Sequence, residues 1–228
     1  MQISAGMDSG ILTVDNLLVL TTAVAFCVSL TPPNAPVPQE QMLQKTFFER
    51  TIVLRVFLHK VLLCALSSLH IAASVSRHSG GGGGSSSRHD AAMILGTLIC
   101  LLSALLRLWC FATLGRFFDF QATVKADHQL ITSGPYAYAR HPSYAGLAGS
   151  YLGTILVLFS SGHWFREHGL LALAGKIVGG IWCAESVVIF VGVPRRANME
   201  DAALKQRFGK EWEEFARRVP FKVVPGIY

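Results

Sequence analysis

The sequence predicts an all-α integral membrane protein of about five transmembrane helices, closed by a C-terminal amphipathic helix. Three observations carry this. Of its 228 residues, 51% are hydrophobic and only 15% charged, and the mean hydropathy is +0.43, whereas soluble domains run nearer a quarter charged. Long apolar runs recur along the chain, punctuated by Pro, Gly and polar clusters. The end of the chain keeps a helical period in its large apolar residues.

The first run, Ile11 to Leu30, is long enough to span about 30 Å of hydrocarbon. Asp8 precedes it instead of a basic segment, so it reads as a retained span and not a signal peptide. The proline-rich stretch Thr31 to Glu40 ends it. Thr51 to Val75 is the second span. It carries Arg55, His59 and Lys60 in its first half, which places that end near an interface where long cations snorkel. Ser76 to Ala91, rich in Gly and Ser, is a flexible loop. It lacks the Gly-Lys-Ser/Thr that a phosphate-binding loop requires. Ala92 to Leu114 is the third span, with Arg107 as its one charge.

Gly115 to Arg140 is a polar re-entry segment. Tyr144 to Phe159 makes a short fourth span, Ser160 to His168 a tight connection, and Gly169 to Val193 a fifth span holding Lys176 and Glu185. Beyond Pro194 the chain turns charged. Leu204, Phe208, Trp212, Phe215 and Val219 recur every three or four residues, which is one face of a helix lying on the membrane or docked on the bundle. Two units follow: residues 1–91, with spans one and two and the Gly/Ser loop, and residues 92–228, with the rest.

Net charge is +6. In a membrane protein this marks loops facing anionic lipid, and no basic stripe with interleaved aromatics points to nucleic acid. Spans four and five form a hairpin, so the segment before span four and the basic tail (Arg195, Arg196, Lys205, Arg207, Lys210, Arg217, Arg218, Lys222) share one side, cytosolic by the positive-inside rule. The five cysteines lie in apolar runs without a CxxC. Neither a disulfide framework nor a metal site is expected.

Chemistry concentrates in two strips on that side. In the first, Gly134 and Pro135 signal a turn, His141 is biased away from helix by the next residue, and Pro142 suits the first turn of span four. The free N–H groups there, beside Tyr136 and Tyr144, suit a ligand with a carboxylate and a flat base. In the second strip Arg196, Glu200 and Leu204 are spaced to share a helix face. Spacing alone does not separate a working site from a tyrosine belt and a surface Glu–Arg pair.

"DHQLITSGPYAYARHPSYAG" (127–146) followed by "EDAALKQRFGKEWEEFARRVP" (200–220) resembles the isoprenylcysteine carboxyl methyltransferase family from roughly Leu114 onward. The resemblance implies an endoplasmic-reticulum enzyme, with a cytosolic C-terminus, that methylates the C-terminal carboxylate of prenylated cysteine in CaaX-processed proteins. The farnesyl- or geranylgeranyl-cysteine proteins and membrane lipid are its partners. S-adenosyl-L-methionine is its methyl donor. It implies a cofactor site of Gln121, His128, Gln129, Leu130, Ile131, Tyr136, His141, Pro142, Ser143, Tyr144 and Glu200, and a catalytic, substrate-facing Arg196. Asp201 stands where the family has a second Glu. The chain has fewer spans than animal members, so a lipid-facing tunnel is built differently or completed by a second subunit, in a homo-oligomer. Two alternatives compete: a phospholipid N-methyltransferase, for which a carboxylate-binding arginine is out of place, and a transporter using Arg107, Lys176 and Glu185, against which stands the lack of an inverted repeat.

Overall fold

The computed structural model describes residues 13–38, 40, 42–43, 46–79, 91–123, 127–160 and 170–227. Among these the regular structure is all helical, with no strand. The helices are α1 (Val14–Ser29), α2 (Phe47–Ser79), α3 (Ala91–Leu114), α4 (Pro142–Leu158), α5 (Leu170–Phe208) and α6 (Lys210–Arg218). Parts of α2, α3 and α5 (Phe47–Ser76, Ala91–Phe117, Gly175–Phe208) are long and apolar enough to cross a membrane, by length and composition. Most of the Gly/Ser loop and the connection after Ser160 lie outside the described residues.

Small residues set the closest packing. Gly146, Gly149 and Gly153 line the face of α4 that meets α3. A Cβ on Gly153 would sit 2.5 Å from the Gly96 carbonyl oxygen, and one on Gly146 2.6 Å from the Arg107 side chain. This is how membrane helices associate, since apolar burial gives no drive in lipid and close backbone approach must supply it. Hydroxyls add hydrogen bonds across the bundle: Thr22 with Thr97 at 2.9 Å and Ser29 with Ser150 at 3.0 Å. A central aromatic cluster of Phe26, Tyr151, Trp182 and His59 joins α1, α2, α4 and α5, with ring centroids 5.0–5.8 Å apart.

Three features differ from the sequence expectation. The basic side chains of α2 are held by protein groups as well as reaching outward: Arg55 pairs with Glu185 of α5, the His59 ring bonds the Arg55 carbonyl, and the Lys60 ammonium donates to Thr31 Oγ1. The fifth helix does not stop at Val193 but runs on through Pro194 to Phe208, and α2 continues to Ser79. The tail is not one helix. Gly209, at φ 54° and ψ −118°, breaks it, because that left-handed backbone suits glycine and ends α-helical bonding. Leu204 and Phe208 therefore belong to α5, while Phe215 and Val219 are buried and dock on the bundle.

Candidate functional site

At the end of the bundle where α4 begins, a cleft holds about 1050 Å³ of empty space, counting the part open to solvent. The turn expected at Ser133–Tyr136 forms its wall. It is a short 3₁₀ segment, Gly134–Ala137. Gly134 has φ 58°, and a Cβ there would lie 2.9 Å from Thr113 Oγ1, so both backbone and space call for glycine. Pro142 opens α4, as its missing N–H allows, and His141 precedes it in non-helical conformation.

The two polar strips meet here. The Tyr144 hydroxyl donates to Glu200 Oε1 at 2.7 Å. His141 reaches both acids of the second strip, with Nε2 2.9 Å from Asp201 Oδ1 and Nδ1 3.4 Å from Glu200 Oε2. Arg140 pairs with Asp201 at 3.2 Å and lies over the Trp212 ring. Arg196 donates from Nε to Glu200 at 3.0 Å, pairs with Glu49 at 3.3 Å and donates to the Phe120 carbonyl at 2.5 Å. The last described turns clasp the same loop, since the Arg140 and His141 N–H groups donate to the Phe221 and Lys222 carbonyls.

All of these ionised groups are buried or nearly so, with Glu200 the most exposed at 22% of its side chain. Three carboxylates (Glu49, Glu200, Asp201) face three cations (Arg140, His141, Arg196). Burial opposes protonation of His141, but its hydrogen bonds to Asp201 and Glu200, together with their charges, prevail and raise its pKa to about 9. It is an imidazolium at neutral pH.

Of the residues read from the sequence, Gln121, His128, Gln129, Leu130, Ile131, Tyr136, His141, Ser143, Tyr144, Glu200 and Arg196 all line the cleft. Pro142 does not; it is buried as the first residue of α4. Gln121 is buried and accepts from the Val37 N–H at 3.1 Å. Glu185, on the same helix as Arg196, points to Arg55 and takes no part.

Three contributors were missed. Arg140 pairs with Asp201, the acid that stands where the family has a second Glu. Glu49, from the first turn of α2, sits beside Arg196. Arg107, noted only as the lone charge of a span, also lines the cleft. It is buried at 3% exposure, donates to Ser29 O and to Ser143 O and Oγ, and lies near the rings of Phe111, Phe118 and Phe120. It pairs with no carboxylate among the described residues. A buried cation facing a cleft with backbone carbonyls, a hydroxyl and rings around it but no carboxylate is costly.

Behind the cleft is a second cavity, almost wholly apolar, between α2, α4 and α5. Phe48, Ile52, Val56, Leu147, Ile189 and Val193 wall it. Ile52, Phe120, Tyr144, Leu147 and Arg196 line both cavities. The arginine and tyrosine thus stand at the junction of a polar and an apolar space.

The model of the isoprenylcysteine carboxyl methyltransferase family matches residues 94–164, which takes in α3, the turn and α4. Similar curated proteins include protein-S-isoprenylcysteine O-methyltransferase B of Arabidopsis thaliana, 31% identical over 55% of this chain and 55% of that protein. The fission-yeast (Schizosaccharomyces pombe) protein-S-isoprenylcysteine O-methyltransferase is 33% identical over 41% of this chain and 32% of its own length. The mouse Delta(14)-sterol reductase TM7SF2 is 29% identical over 44% of this chain and 20% of its own. The chain thus spans about half the length of the plant relative and a third of the yeast one. Both kinds of comparison find the family that the sequence resembles, and the stretch matched by the family model contains the first strip and ends before the second.

Proposed function

We propose that this chain, similar over residues 94–164 to the isoprenylcysteine carboxyl methyltransferases, methylates the C-terminal carboxylate of prenylated cysteine with S-adenosyl-L-methionine as donor. One observation carries the reading: Arg196 and Tyr144 line both the polar cleft and the apolar cavity. A substrate with an acidic head and a long apolar tail has its two parts matched there. Its acid meets cations at the junction while its tail lies among Phe48, Ile52, Leu147 and Val193.

The residues present fit the cofactor. The cleft mixes aromatic and aliphatic walls (Phe117, Phe118, Tyr136, Leu130, Ile131) with polar side chains (Gln129, His128), as a pocket for a nucleoside with charged substituents requires. Leu130, Ile131 and Tyr136 would pack the adenosyl part, and Glu200 and His141 would meet its polar groups. When bound, the donor supplies an electrophilic methyl group on a sulfonium.

This chain's residues then have two tasks. The acceptor is ionised at neutral pH, so no base is needed, and the protein must align it and exclude water. Arg196 and Arg107 do the first. Three acids already balance Arg140, His141 and Arg196, so Arg107 is the cation left to offset an incoming carboxylate. The Phe111, Phe118 and Phe120 rings around it keep that contact dry, where a charge-assisted bond is strong. Residence in the endoplasmic reticulum, with the C-terminal side cytosolic, accompanies this reading. Positive-inside asymmetry supports that orientation.

Transfer of a radiolabelled methyl group from the donor to N-acetyl-S-farnesylcysteine, giving a base-labile ester, tests the proposal. Transfer to phosphatidylethanolamine instead would support an N-methyltransferase. No transfer, with no binding of the donor by calorimetry, would refute both.

A further inference from the structure

We propose that Glu49 is a positioning residue that shares Arg196 with the acceptor carboxylate and thereby limits the arginine's grip on the nucleophile. This rests on the carboxyl-methylation reading. Glu49 lies far from both strips in sequence and outside the stretch matched by the family model. Its carboxylate is nonetheless 3% exposed as a residue and reaches the centre of the site. Oε1 lies 3.3 Å from an Arg196 Nη. Oε2 accepts from the Ala122 N–H at 3.2 Å, beside Gln121 on the cleft wall. A buried carboxylate is costly unless paired and hydrogen-bonded, and Glu49 has one bond of each kind, both to groups of the cleft.

The chemistry says why such a group is useful. A carboxylate oxygen attacks through its lone pair, and a cation that holds it tightly lowers its nucleophilicity. Arg196 has Glu200 on its Nε and Glu49 on an Nη, so its charge is already divided when the acceptor arrives. The arginine then orients the acid without neutralising it. The Ala122 bond fixes where Glu49 stands and ties the start of α2 to the cleft wall. Removing the charge of Glu49 alone leaves Arg196 with a single carboxylate and a stronger pull on the substrate.

Glu49→Gln keeps the volume and an acceptor for the Ala122 N–H. In the full chain in detergent, it is expected to bind N-acetyl-S-farnesylcysteine about fivefold tighter while leaving the affinity for the corresponding methyl ester unchanged, as rim and buried charges act on charged ligands selectively. KM and kcat for the acid both fall, by similar factors, because tighter holding of the ground state is not matched in the transition state. Glu49→Asp draws the charge back by one methylene and shifts the acid-to-ester ratio the same way by about twofold; it serves if Glu49→Gln does not fold. A ratio that stays at the wild-type value, or acid and ester weakening together as a collapsed cleft would make them, overturns the role. If the wild-type chain binds neither compound, the methylation reading falls first and Glu49's role with it.

Discussion

His141 offers the sharpest test of how the two strips are held together. Its side chain is 7% exposed and lies between Asp201 and Glu200, and its pKa is raised from 6.5 to about 9. A raised histidine pKa means that the folded state binds the proton more tightly than the unfolded chain. The resulting stability is fully present below pH 6.5 and is lost as pH rises through about 9. At about 1.36 kcal/mol per tenfold, that displacement corresponds to on the order of 3 kcal/mol. For a chain of this size it amounts to roughly 6–12 °C in melting temperature. The wild-type chain in detergent should therefore melt lower at pH 9.5 than at pH 6.5 by about that amount. His141→Gln, which still hydrogen-bonds but does not titrate, should melt lower at pH 6.5 and lose this slope. A wild-type profile flat across that window, or a variant with the same slope, would refute the assignment of His141 as the cation joining the strips.

Three further outcomes are expected. Arg196→Ala leaves Glu49 and Glu200 buried without their shared cation and should destabilise by about 3–5 kcal/mol, while raising KM for a prenylcysteine acid and lowering kcat; full activity would contradict its place at the junction. Arg107→Met keeps the volume but leaves the Ser29 and Ser143 carbonyls without their donor, so melting should fall by the equivalent of about 1–3 kcal/mol, while transfer to a carboxylate acceptor should fall by at least about tenfold. Gly153→Val places side-chain atoms where even a Cβ would lie 2.5 Å from the Gly96 carbonyl oxygen, and should cost about 1–3 kcal/mol or more, read as a lower melting temperature.

The helices were legible because apolar run length is a direct consequence of the solvent that surrounds them, and the bounds of α1, α3 and α4 follow their runs closely. The break at Gly209 was not, because Leu204, Phe208, Trp212 and Phe215 keep their period across it. Only the glycine's positive φ interrupts the chain, and glycine is also tolerated inside helices. Most of the cleft lining was readable because it falls in two short segments of specific composition. Glu49 was hidden because nothing in its neighbourhood resembles a motif, and its meaning comes from Arg196 on a helix distant in sequence. Asp201, doubtful from sequence for being one methylene short, finds its contacts with Arg140 and His141. Arg107 was visible as an intramembrane charge, but charge alone does not reveal the aromatic rings and backbone carbonyls around it.

The glycine-lined contact of α3 and α4 fixes which parts of the molecule are able to yield. With backbone pressed on backbone, those two helices can neither slide nor roll past each other, and they act as a keel. On the opposite flank no such backbone seam is seen among the described residues, and α2 and α5 are fastened to each other through the side-chain pairs Arg55–Glu185 and Glu49–Arg196. Charged fasteners of this kind part and re-form as polar groups enter, whereas a welded glycine face does not. The α3–α4 seam is thus the stiff part of the molecule, and the second strip, carried on α5, is tied to it by side chains alone: Tyr144 and His141 to Glu200, and Arg140 and His141 to Asp201.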